Sequence, residues 1–102
     1  MTIKRKSGVL FRGVKPELLL GLSVADGFYE RNGQREMVIT SLADGTHGVG
    51  SLHYVGYAAD LRIWNIDDIE IFADGLSTEL GSEFDVVLET DHIHIEYQPK
   101  EI

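Results

Sequence analysis

An α+β domain is the fold class this sequence predicts, with helices covering one face of a small, mainly antiparallel sheet. Three observations predict it. Two segments carry apolar residues at helical spacing, and four others are β-branched or alternate apolar with polar residues. The last two strand-like segments are separated only by Glu89-Thr90-Asp91, which makes them a hairpin. At 102 residues the chain reads as a single domain spanning 1–102, with no repeat and no low-complexity linker.

Residues 1–14 read as an irregular or short-strand arm. Lys15-Pro16-Glu17 then marks a helix start, with proline in the first turn and an acid near the positive end of the dipole. Leu18, Leu22, Ala25 and Tyr29 form its apolar stripe, and Leu20, Val24 and Phe28 are expected to widen it. Asn32-Gly33 ends it. Glu36–Leu42 is a β-branched strand, and the glycine-rich ADGTHGVGS that follows is a loop. From Tyr57 to Trp64 the pattern alternates, with Tyr57, Ala59, Leu61 and Ile63 on one face and Ala58, Asp60, Arg62 and Trp64 on the other. Ile66, Ile69, Phe72, Leu76 and Leu80 predict a helix over 65–81, with Asp67 and Asp68 in its first turn. Phe84–Leu88 and His92–Tyr97 form the hairpin, and Pro99 stops the last strand.

Composition excludes several classes of function. With no cysteine, disulfides and thiolate metal sites are impossible, so any metal is held by imidazole and carboxylate. A net charge of −8 argues against binding nucleic acid, and the basic Lys4, Arg5, Lys6 and Arg12 read as a solvated arm. No apolar run reaches the roughly 20 residues needed to cross a bilayer, and no signal-peptide pattern follows the basic start. The chain is expected to be made in the cytoplasm, with no membrane partner.

The chemistry concentrates in two places. In HIHIEY, Ile93, Ile95 and Tyr97 share one strand face while His92, His94 and Glu96 share the other. Two histidines and a carboxylate on one face suit a metal site. In SLHYVGYAAD, His53 and Asp60 lie seven positions apart, and Gly56 permits a bend that turns both toward one point. His53, Asp60 and His94 together supply two imidazoles and a carboxylate, which leaves a position open on tetrahedral zinc for water. Zinc lowers the pKa of such a water to about 7, and hydrolysis then needs a nearby carboxylate as general base.

Ser51, His53, Gly56, Ala58 and Asp60 match every fixed place of the S-x-H-x-x-G-x-A-x-D motif. In this the chain resembles the D-alanyl-D-alanine carboxypeptidase and dipeptidase superfamily of zinc metallopeptidases, peptidase family M15. That superfamily includes phage L-alanyl-D-glutamate endolysins and shares its fold with the hedgehog signalling domain. The resemblance spans about residues 36–98. It implies a hedgehog/DD-peptidase-like fold and a zinc-dependent hydrolase of peptidoglycan stem peptides, engaged in cell wall degradation. A phage or prophage product would act on the wall after release or as part of a virion.

The family's second motif, a carboxylate three residues ahead of the third ligand, fits in two registers. Asp91 precedes His94, whose His94-Ile95-Glu96 resembles the family's ending; Glu89 precedes His92. The first register, with Asp91 as base and His94 as ligand, is preferred; Glu89 and His92 form the alternative. Relatives carry an arginine before the first ligand, but Thr40-Ser41-Leu42-Ala43-Asp44 has none; His47 and Arg62 are the available substitutes, and the reading preferred for both is structural or solvated. The competing expectation is a non-catalytic zinc-binding module that serves as a phage structural or partner-binding element. Tyr57 reads as core, and Trp64 as either core or an aromatic rim. Neither the bond cut nor the oligomeric state follows from the sequence.

Overall fold

In the computed structural model, which describes residues 3–9, 13–42 and 57–98, the chain forms five strands and two helices. In order they are β1 (Ile3–Arg5), α1 (Pro16–Arg31), β2 (Met37–Ser41), β3 (Ala58–Arg62), α2 (Ile69–Leu80), β4 (Phe84–Leu88) and β5 (His92–Tyr97). The fold is therefore α+β. The glycine-rich loop, the motif through Gly56, and Pro99 lie outside the described residues.

The strands form one mixed sheet in the order β1-β2-β3-β5-β4. β1 runs parallel to β2, with Ile3 opposite Met37, while β2–β3, β3–β5 and β4–β5 are antiparallel. The parallel pair departs from the expected sheet for a topological reason. β1 reaches β2 through a crossover containing α1, and a crossover of that length is what joins parallel neighbours.

α1 opens with Pro16 at its first position, where the missing N–H costs no helical hydrogen bond. It closes where the Asn32 side chain donates to the Phe28 carbonyl at 2.8 Å and Gly33 takes a φ of 88°, a left-handed conformation natural to glycine. Leu18, Leu22, Ala25, Phe28 and Tyr29 pack with Phe72, Ala73 and Leu76 of α2 against Ile39, Ala59, Leu61, Ile93 and Ile95 of the sheet. Phe72 meets Phe28 and Tyr29 edge-on, with ring centres 5.0 and 4.9 Å apart. Leu20 and Val24 do not widen the stripe; both are exposed. They lie off the arc that the sheet and α2 cover, so only Phe28 of the three is buried.

α2 begins at Ile69, later than its apolar spacing predicts. Asn65 and Asp68 have φ of 62° and 48°, and left-handed residues cannot continue a right-handed helix. Asp67 and Asp68 thus precede the helix, and Glu70 takes the place expected of them in its first turn. No helix of the described residues is long and apolar enough to cross a membrane.

Leu61 is fully buried at the centre of the sheet, next to Asp60 in the chain. Leu61→Ala is expected to cost about 2–5 kcal/mol, a large share of a small domain's stability, measured by urea unfolding.

Candidate metal centre

Alternation on β5 buries Ile93 and Ile95 completely under the helices and turns His92, His94 and Glu96 to the opposite face. β3 behaves the same way, with Ala59 and Leu61 inward and Asp60 and Arg62 beside the histidines. Register completes the arrangement. Asp60 is the direct cross-strand partner of His94, and Arg62 that of His92.

His94 Nδ1 lies 2.9 Å from Asp60 Oδ1, and His94 Nε2 lies 2.7 Å from Glu96 Oε1. Glu96 is anchored in turn by Gln98, whose Nε2 donates to Glu96 Oε2 at 2.5 Å. The bond to Asp60 raises the His94 pKa to about 9, against the opposing effect of burial, and Glu96 adds to the rise. His94 is therefore an imidazolium near neutral pH, donating from both nitrogens.

His92 sits at the edge of this group. Its Nε2 is 3.6 Å from Asp60 Oδ1, and its Nδ1 is 2.7 Å from Asp91 Oδ1. The Asp91 side chain is 83% exposed. Glu89 is also exposed, and its backbone N–H donates to the His92 carbonyl at 2.8 Å, closing the hairpin. Of the expected ligands, Asp60 and His94 are thus brought together, His92 lies just beyond them, and His53 falls outside the described residues, as does His47, the other substitute for the missing arginine. Among the described residues no group of three His, Asp or Glu side chains is arranged to hold a metal.

The pair fits a zinc ion by its chemistry. A carboxylate and an imidazole nitrogen face one point, and the ring's other nitrogen is held by a second carboxylate, as in metal-binding histidines generally. A proton now bridges Asp60 and Nδ1. Sequence reading put Glu96 on the right face but did not distinguish its role of holding the His94 ring; the i, i+2 spacing on one strand was the available signal. No sequence pattern marks Gln98.

A pH dependence follows for the metal-free protein. The His94 pKa stands near 9 when folded against an ordinary 6.5, so its stabilising contribution is complete below 6.5. It is lost as pH rises through about 9. Thermal unfolding of chelator-treated protein is expected to show Tm falling over that window, and His94→Gln is expected to remove this component. A zinc ion bound through Nδ1 would displace the same proton, so zinc affinity is expected to climb across the window.

The remaining candidates separate clearly. Tyr57 is half-buried, its ring 5.7 Å from that of Tyr97. Trp64 is 66% exposed, with the Arg62 guanidinium 3.8 Å from its ring centre. Arg62 therefore lies against Trp64, not against the Asp60–His94 pair. Compared with protein-family models and with curated proteins, the chain matches none.

Proposed function

We propose that this chain is a zinc-dependent peptidase of hedgehog/DD-peptidase-like fold that hydrolyses a peptide bond in bacterial peptidoglycan stem peptides, as a phage or prophage lytic enzyme. One observation supports this above the others: Asp60, the last residue of the S-x-H-x-x-G-x-A-x-D motif, stands directly opposite His94 with 2.9 Å between carboxylate and imidazole.

His53, Asp60 and His94 would hold the metal, the last through the Nδ1 that faces Asp60. When bound, zinc supplies Lewis acidity toward the scissile carbonyl and toward water. The chain's own groups do the rest. Glu96 accepts from His94 Nε2 and fixes the ring's orientation. Asp91, at the mouth of the hairpin, accepts a proton from the attacking water and returns it to the leaving amine, with Glu89 as the rival for that role. His92 donates to Asp91 and restrains it.

The non-catalytic module is the second reading, and two observations favour it. Asp91 is largely exposed and bonded to His92, and the segment Thr40–Asp44 has no arginine. Digestion of purified peptidoglycan separates the two. Zinc-loaded protein is expected to release new amino groups, and chelator to stop the release. If zinc binds stoichiometrically and no amino groups appear, the peptidase reading is lost and the module remains.

A further inference from the structure

A groove of about 500 Å³ opens beside the metal centre, lined by Tyr29, Arg35, Glu36, Arg62, Trp64 and Asn65 among others. Arg62 connects the two places. It shares a strand face with Asp60, two residues or about 7 Å along β3, and pairs across strands with His92. Arg62 therefore links the groove to the strand face that carries Asp60, although Asp60, His92 and His94 do not themselves line it.

Its charge is the reverse of the chain's. In a protein with 17 acidic and nine Lys or Arg residues, two arginines line this one groove. Among the described residues neither has an acidic partner; Glu36, the nearest candidate in sequence, is 3.1 Å from Lys4. Solvated arginines are common on surfaces, but Arg62 is not one. It is half-buried, its guanidinium lies 3.8 Å over the indole of Trp64, and its backbone carbonyl is held by the Tyr29 hydroxyl at 3.2 Å. A guanidinium fixed against an aromatic plane presents its fork with little rotamer freedom left to lose. Trp64 is still 66% exposed, so indole surface remains for a ligand.

We propose that this groove binds the free carboxylate of a peptide, with Arg62 as the bidentate partner, Arg35 as a second positive charge, and Trp64 as a wall for the adjoining peptide plane. Planar carboxylate matches the guanidinium fork, and the ligand's charge meets the two arginines of the groove. That the bound peptide is also the substrate rests on the peptidase reading; the binding itself does not.

Trp64 is the only tryptophan, so its fluorescence reports on the groove alone. The test titrates the chelator-treated 102-residue chain with acetyl-alanyl-alanine as free acid, with its C-terminal amide, and with inorganic phosphate. The free acid is expected to change Trp64 emission saturably, with the amide and phosphate at least tenfold weaker. Arg62→Gln is expected to weaken the acid's binding about tenfold or more, with Arg35→Gln in the same direction. Glu79→Gln, at an exposed position of α2 outside the groove, is expected to bind the acid as well as wild type. Equal responses to acid and amide, a stronger response to phosphate, or unchanged binding by a folded Arg62→Gln variant would each overturn the proposal. Acid-specific binding by a zinc-loaded protein that cleaves nothing would remove the peptidase reading and leave the groove standing.

Discussion

His94→Ala is expected to lose stoichiometric zinc, and His92→Ala to keep it. The two histidines share a strand face and each has a carboxylate three residues ahead, so sequence alone leaves both open. Register separates them. His94 stands opposite Asp60 with Nδ1 at 2.9 Å, whereas His92 Nε2 is 3.6 Å from the same oxygen. The Nε2 of His94 is held by Glu96, itself held by Gln98, so the ring is oriented before any metal arrives. His92 leans instead on the exposed Asp91. Removing His94 takes away an oriented ligand, and affinity is expected to fall by more than the roughly 10- to 100-fold that loss of an outer-shell partner costs. Glu96→Gln is expected to fall within that smaller range, measured by competition with a chromogenic chelator.

The second large effect concerns the proton. If the chain is the proposed peptidase, Asp91→Ala is expected to reduce peptidoglycan hydrolysis by about 10²- to 10⁴-fold while zinc content stays unchanged. Glu89→Ala is expected to do much less. Both residues flank the hairpin turn, but Asp91 alone is tethered near the centre, through His92 Nδ1 at 2.7 Å. Release of amino groups, scored beside metal content, distinguishes a lost base from a lost ligand. If Glu89→Ala shows the larger fall, the base is Glu89 and the register of the second motif shifts by two residues.

The hairpin was the most legible part of the fold. Strict alternation and a three-residue turn leave β4 and β5 little freedom, and their bounds agree with the sequence pattern. The start of α1 was equally clear because Pro16 permits few alternatives. What escaped depends on tertiary context. The parallel pairing of β1 follows from where α1 delivers the chain, and the exposure of Leu20 and Val24 follows from which arc of α1 is covered. The late start of α2 follows from backbone conformations at Asn65 and Asp68 that apolar spacing does not encode. At the site, periodicity put His92, His94 and Glu96 on one face, but only cross-strand register set His94 opposite Asp60. The groove behind Arg62 was foreshadowed only by Trp64, whose exposure no pattern of neighbours determines.

That Asp60 and His94 hold one zinc ion together is the central claim, and locating the ion tests it most directly. Crystals of zinc-loaded protein, measured at the zinc absorption edge, should show one anomalous peak within bonding distance of both Asp60 and His94 Nδ1, with Glu96 still on Nε2. A peak on His92 without His94, or zinc-loaded crystals with no peak at Asp60, would contradict it.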